Sequence, residues 1–205
     1  MRCTALALAA LLACLAATAS AAPANTDGLV TVSERSGFLR TGRYDEVIRL
    51  CDAFARAYPT AVRCESFGTT PEGRPMKALV ASTRGALDPA AAREKNLPVV
   101  LVQGGIHAGE IDGKDAGFRV LRELLDKPGK DDPLRRQILL FVPVFNVDGH
   151  ERFGPHQRAN QNGPEEGGWR ATAANLNLNR DYLKAEAPEM QAMLALVNTW
   201  DPLAV

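Results

Sequence analysis

Two apolar runs bracket an amphipathic helix, and no other feature of the chain narrows its fold as far. LPVVLVQGG (97–105) and RQILLFVPVFN (136–146) are apolar almost throughout, the pattern of strands buried on both faces. Between them, IDGKDAGFRVLRELLDKPG puts Ala116, Phe118, Val120, Leu121, Leu124 and Leu125 on one broad helical face, and Lys127-Pro128-Gly129 stops it. Strand, helix, strand in that order predicts a parallel pair. Upstream, GRYDEVIRLCDAFARAY (42–58) spaces Tyr44, Val47, Ile48, Leu50, Cys51, Phe54 and Ala55 as a helix does, and Pro59 closes it. AVRCESFG (61–68) and MKALVAS (76–82) read as strands of a hairpin turned by TTPEGRP. Downstream, APEMQAMLALVNTW (187–200) reads as a helix with Pro188 in its first turn, and PLAV opens another buried strand. The expected class is α/β: a mixed, mostly parallel sheet flanked by helices, with the hairpin at one side, incomplete at the C-terminus.

Length and composition fit one such domain: 205 residues, 46% hydrophobic. Lys+Arg and Asp+Glu are both 24, so no net field recruits nucleic acid or an anionic membrane. The opening stretch MRCTALALAALLACLAATASAAPA stands apart from the fold. Arg2 is a short positive n-region, Thr4 to Ala17 is too short to span a bilayer, and Ala19-Ser20-Ala21 fits a cleavage site before Ala22. Residues 1–21 are therefore expected to be a signal peptide. Export to the periplasm or medium follows, with no stable membrane span after cleavage; lipid attachment at Cys14 is the alternative. Residues 22–41 are polar and weakly patterned, and an irregular mature N-terminus is expected there, with the domain proper at 42–205. Cys51 and Cys64 remain after cleavage, one on a helix and one on the next strand. A disulfide and two buried thiols both fit that placement.

The chemistry concentrates after the first buried strand, where His107 and Glu110 stand three residues apart. In open α/β sheets, ligands gather beyond the carboxyl ends of strands. An imidazole and a carboxylate placed there can hold one ion, and zinc accepts both donor types. The plain alternative is a surface histidine and a glutamate favoured by a helix N-terminus. Residues 147–175 form a long polar loop, and loops of that length inside compact domains are usually functional. Along it and beyond come Asn146-Val147-Asp148-Gly149, then Trp169-Arg170, then NLNLNRDY with Asn179-Arg180 and Asp181-Tyr182.

In that order the segments resemble the M14 family of zinc carboxypeptidases, whose sequences run H-x-x-E, N-P-D-G, W-R and N-R-N/D-aromatic. The likeness runs from about Tyr44 to Val205, and NVDGHERFGPHQRANQNGPEEGGWR looks particularly like exported bacterial members. The resemblance implies Zn2+ held by His107 and Glu110. It gives Arg170 the role of polarising the scissile carbonyl and stabilising its oxyanion, and Asn179 and Arg180 the substrate's C-terminal carboxylate. A guanidinium suits both tasks, since it stays charged and grips a carboxylate bidentately. The implied partner is a peptide with a free C-terminal carboxylate, and the implied reaction is hydrolysis of its last peptide bond.

Three positions depart from the family pattern. Gly109 stands where the best-known digestive members carry arginine between the two ligands, so that substrate contact is expected to be lost. Asn177 replaces an aspartate that orients the zinc histidine, and Val147 replaces the usual proline. The third ligand of the family is a histidine at the end of the strand that opens at Leu203, and the general-base glutamate lies further on; neither falls within the 205 residues. His150 and His156 lie in the polar loop, 40 and 46 residues after Glu110, and Glu165, Glu166 and Glu186 match no catalytic motif position. Two other readings fit the same motifs: a zinc-dependent deacylase of N-acyl amino acids, and an inactive carboxylate-binding pseudoenzyme.

Overall fold

The computed structural model describes residues 26–205; the expected signal peptide, its cleavage site and Cys14 lie outside the described residues. The first described segment is less irregular than its sequence suggested. A 3-10 turn at Thr26–Leu29 precedes α1 (Val32–Arg35). Thr31 and Glu34 cap α1 reciprocally: the Glu34 N–H donates to Thr31 Oγ1 and the Thr31 N–H to Glu34 Oε2, both at 3.1 Å. The T-x-x-E signature was present in a stretch too polar to show a hydrophobic period.

α2 (Tyr44–Ala57) forms where the spacing placed it and buries Tyr44, Val47, Leu50, Cys51 and Phe54. β1 (Val62–Thr69) and β2 (Pro75–Ala81) pair antiparallel, with Cys64 opposite Leu79. Cys51 and Cys64 are joined as a disulfide, which fastens α2 to β1. The connection that follows contains α3 (Pro89–Glu94), capped by Asp88. β3 (Val99–Gln103), α4 (Asp112–Asp126) and β4 (Ile138–Val142) form the expected parallel unit, with Leu101 opposite Leu140. The sheet order is β1-β2-β4-β3, and Ala204 makes a parallel bridge to Val100 on the outer side of β3. The sheet is mixed, as expected, but among its described strands it is not mostly parallel: two of the three strand pairs are antiparallel. β4 and β3 run parallel, whereas the hairpin joins them antiparallel through β2 and β4.

The strand register assigns the faces. Phe141 stands opposite Leu79 and Val102, on the side of the disulfide and α2. There Phe54 stacks on Phe118 at 5.9 Å, and Phe118 meets Phe141 edge-on at 5.4 Å. Burying each such ring contributes about 1.5–3 kcal/mol. α6 (Pro188–Trp200) covers the other face, where Trp200 Nε1 donates to Glu65 Oε1 and Arg63 sits over the indole. Two expectations change. β3 is not buried on both faces, since Val102 is 41% exposed beside the edge of the α4 layer. The buried stripe of α4 is Lys114, Phe118, Leu121 and Leu125, while Ala116 and Val120, both expected on the apolar face, are exposed. Val120 is one residue off the 118/121/125 line, whose Phe118 meets Phe54 and Phe141.

Lys114 is a full-length lysine in that stripe. Its Nζ donates to the Gly42 carbonyl at 2.7 Å and lies 3.5 Å from Glu46 and 3.3 Å from Asp115. Thr41 Oγ1 donates to the other Asp115 oxygen, and the Val32 N–H donates to Glu46. Burial pushes the Asp115 carboxyl up, opposed by Lys114 and Thr41. This enclosed network ties the N-terminal segment to the first turn of α4, directly after Glu110.

Candidate metal centre

The site is built where two parallel strands end together. Past β3 the Gly104 N–H donates to the Val142 carbonyl, and the Phe145 and Asn146 N–H groups return bonds to Gly104 and Gly105. Gly105 has φ +59°, a left-handed conformation natural to glycine, and a Cβ there would lie 3.3 Å from Val144 Cα. The bend throws residues 106–111 out beyond the sheet. There the Glu110 N–H closes a turn on the His107 carbonyl at 2.9 Å, which sets both side chains on one side.

His107 is buried and Glu110 half-exposed, 42% at its side chain. His107 Nδ1 lies 3.1 and 3.2 Å from the two Glu110 oxygens. On the other side of the ring, Nε2 lies 3.2 Å from Asn177 Oδ1. That oxygen also accepts the Asn179 N–H at 3.1 Å, which identifies it as the amide's acceptor. Nε2 must then carry the proton and donate to Asn177. In the neutral ring this leaves the Nδ1 lone pair facing a carboxylate with nothing between them. Only a second proton or a cation relieves that opposition. The donor pair and the fixed tautomer fit a metal ion. Among the described residues no group of three or more His, Cys, Asp or Glu side chains converges, so these two donors have no third protein partner there.

The other histidines stay apart. His150 is buried between Tyr44 and Phe153, burial pushes its imidazole below the usual range, and Nδ1 lies 3.3 Å from Glu151. His156 is exposed on the polar loop.

That loop is more ordered than a polar stretch suggests. It starts with α5 (Val147–Glu151) and contains a small hairpin of β5 (Gly154–Pro155) and β6 (Glu166–Gly167). Asn146 caps α5 by accepting the Gly149 N–H, and its Nδ2 donates to the Arg170 carbonyl at 3.0 Å. The Trp169 N–H donates to the Gly149 carbonyl at 2.7 Å. The Trp169-Arg170 segment is thus held by backbone at both residues, while the Arg170 side chain is exposed. Asp148 is fully buried. Its Oδ1 accepts from Thr70 Oγ1 and Arg74 Nη1, both at 2.7 Å, and its Oδ2 accepts the Glu72 N–H at 3.1 Å.

Asn179 and Arg180 lie on a 3-10 turn (Leu178–Arg180) whose cap is Asn177. Both are exposed, and Arg180 donates to the Asn179 carbonyl at 2.7 Å. Asp181 accepts the Glu186 and Ala187 N–H groups and so starts α6. The structure therefore brings His107, Glu110 and Asn177 into direct contact and sets Asn179 and Arg180 on the same turn as Asn177. It leaves the Arg170 guanidinium without a hydrogen bond among the described residues. One residue the motifs did not mark belongs to the group: Arg158 Nη2 lies 3.0 Å from Glu110 Oε1. No spacing rule points to it, because it reaches Glu110 across the loop.

The fold and this cluster define an α/β protein with a His-x-x-Glu centre at the ends of its parallel strands. The profile of the zinc carboxypeptidase family, Peptidase_M14, matches residues 47–200, and the chain belongs to that family. Carboxypeptidase B of Helicoverpa zea is 30% identical over 154 residues, which are 67% of this chain and 34% of that protein. The inactive metallocarboxypeptidase ECM14 of Saccharomyces cerevisiae is 31% identical over 118 residues, 56% of this chain and 26% of that protein. The chain spans about a quarter to a third of the length of these relatives. Among solved structures, carboxypeptidase A from Helicoverpa armigera superimposes with TM-score 0.56 at 20% identity, covering 76% of this chain and 42% of that one. Bovine thrombin-activatable fibrinolysis inhibitor, in complex with tick carboxypeptidase inhibitor, gives TM-score 0.59 at 16% identity over 78% and 56%. At those identities the likeness is one of fold.

Proposed function

We propose that this protein is an exported zinc-dependent metallocarboxypeptidase that removes the C-terminal residue of a peptide. The observation that carries the proposal is the setting of His107: Nε2 lies 3.2 Å from Asn177 Oδ1, which also accepts the Asn179 N–H, and Nδ1 lies 3.1 Å from the Glu110 carboxylate, so donation from Nε2 turns the Nδ1 lone pair towards Glu110. His107 and Glu110 would hold the ion, with a third ligand from outside the described residues. When bound, zinc lowers the pKa of a water to near neutrality and polarises a carbonyl. Arg170 stabilises negative charge on the carbonyl oxygen, a role that suits an exposed guanidinium whose backbone is fixed by Asn146. Asn179 and Arg180 hold the substrate's terminal carboxylate, the arginine bidentately. Asn177 orients His107 without adding charge, so the ligand is less basic than it would be beside an aspartate.

The test is zinc binding by chelator competition, paired with hydrolysis of matched peptides whose C-termini are free or amidated. Zinc uptake that depends on His107 and Glu110, with cleavage of the free peptide alone, is the expected result. Cleavage of N-acyl amino acids in preference to peptides points to a deacylase. Zinc uptake with no turnover of either places the protein with relatives such as the inactive ECM14.

A further inference from the structure

Gly109, between the two candidate ligands, is where an arginine was expected to be missing. In the fold an arginine side chain occupies that place from elsewhere in the chain. A Cβ on Gly109 would lie 2.6 Å from Arg158 Cδ and 2.9 Å from its Cγ. The stem of Arg158 thus passes over Gly109 because Gly109 has no side chain, and its guanidinium reaches Glu110 at 3.0 Å. The loop is pinned in this position by Gln161, whose Nε2 donates to the Gly109 and Gly163 carbonyls at 3.1 and 2.8 Å. Arg158 Nε is buried without a hydrogen-bond partner among the described residues. Beside it lies a cavity of about 280 Å³, walled by Gly109, Gln157, Arg158, Gln161, Asn162 and Glu165.

We infer that this cavity is a subsite for a carboxylate-bearing group of the substrate, with Arg158 as its anchor and specificity-determining residue. A cation on His107 and Glu110 takes the lone pairs that Arg158 now shares. Two positive groups are then left close together, and an anion beside Arg158 relieves their repulsion. Glu165 on the cavity wall limits the demand to one such anion. Contacts run in order from the turn of Asn179 through Asn177, His107 and Glu110 to Arg158. With a terminal carboxylate at Asn179 and Arg180, the residue on the other side of the scissile bond extends towards Arg158. That direction rests on the carboxypeptidase reading; the subsite rests only on the cation proposed at His107 and Glu110. The substrate class so defined is a peptide with aspartate, glutamate or another acidic residue before its last residue.

The experiment measures NMR-titration binding of acetyl-glutamate amide and acetyl-glutamine amide to the zinc-loaded protein. Neither probe has a free terminal carboxylate, and Arg158→Gln separates binding of the glutamate side chain at Arg158 from its binding at the Asn179 and Arg180 clamp. The wild type should bind the glutamate probe about tenfold tighter, the scale of one charge-assisted hydrogen bond. Arg158→Gln should abolish the difference and Arg158→Lys should keep part of it. Zinc affinity of each variant, from chelator competition, separates a substrate role from a mere counter-ion of Glu110. No glutamate preference in the wild type, or a preference that survives Arg158→Gln, overturns the inference. A preference that Arg158→Gln abolishes, in a protein that leaves free-terminus peptides uncut, supports the subsite and refutes only the carboxypeptidase reading.

Discussion

Asn177 Oδ1 receives two hydrogens at once, one from His107 Nε2 and one from the Asn179 N–H. A side chain seventy residues away in sequence thereby decides which nitrogen of the candidate ligand is bare. Asn177→Asp keeps both acceptor bonds and adds a negative charge against the imidazole N–H, which makes Nδ1 more basic. Zinc affinity should rise by about tenfold, and Asn177→Ala should lower it by about 10–100-fold. Chelator competition at constant pH measures both, and an unchanged affinity in the aspartate variant would refute this role.

Lys114 is surrounded by Glu46, Asp115 and the Gly42 carbonyl inside the fold. Lys114→Met preserves the stem, leaves buried Asp115 without its cation and leaves buried Glu46 with only Arg49, 3.7 Å away. Stability should fall by about 3–5 kcal/mol, read from urea denaturation. A double variant that also carries Glu46→Gln and so removes one of these carboxylate charges should recover part of the loss.

Arg122 bonds Glu34 and holds its carboxyl down, from an ordinary 4.5 to about 2. A depressed carboxyl stabilises the fold while it is ionised. Its contribution is complete above pH 4.5 and disappears as pH falls towards 2. Glu34→Gln should therefore lower Tm at neutral pH, and the gap to wild type should close between pH 4.5 and 2. Thermal melts across that range provide the measurement. Glu151 is also held down to about 2, where the bonds from His150, Tyr44 and Arg43 outweigh the desolvation that raises it. Some acid sensitivity should accordingly survive in the variant.

Gly168 is packed where no side chain fits. A Cβ there would lie 2.6 Å from His150 Cα, 2.9 Å from the Ala108 carbonyl oxygen and 3.0 Å from that of Gly149. All three are backbone atoms and cannot rotate away. Gly168→Ala should cost about 1–3 kcal/mol, or about 2–4 °C in Tm per kcal/mol for a domain of this size. Gly129→Ala, with open space around it, should leave Tm unchanged.

The legible parts of the fold were those governed by one period and one partner. Tyr44, Val47, Leu50 and Phe54 have a single layer to face, so their spacing gave α2 correctly. In α4 the apolar face was drawn too wide. Val120 counted as core by residue type, and Lys114 could not count, because two of its three partners, Gly42 and Glu46, are far away in sequence. In the loop, α5 is set by Asn146, which accepts the Gly149 N–H, and by Asp148, which accepts the distant Glu72 N–H, and the small hairpin by the pairing of Gly154 with Gly167, not by any periodicity. At the site, His107 and Glu110 announced themselves through local spacing. Arg158 did not, since its significance depends on an empty position at Gly109.

The turn between β1 and β2 looks like ordinary surface, yet Thr70, Glu72 and Arg74 all end on the buried carboxylate of Asp148. Asp148 belongs to the short helix whose residues also carry Trp169 and, through Asn146, Arg170. For anyone engineering the protein, the two exposed turns are not equivalent places for an inserted epitope. An insertion near Gly129 should go unnoticed by the site, whereas one at 71–73 would loosen the mounting of the arginine proposed to meet the substrate.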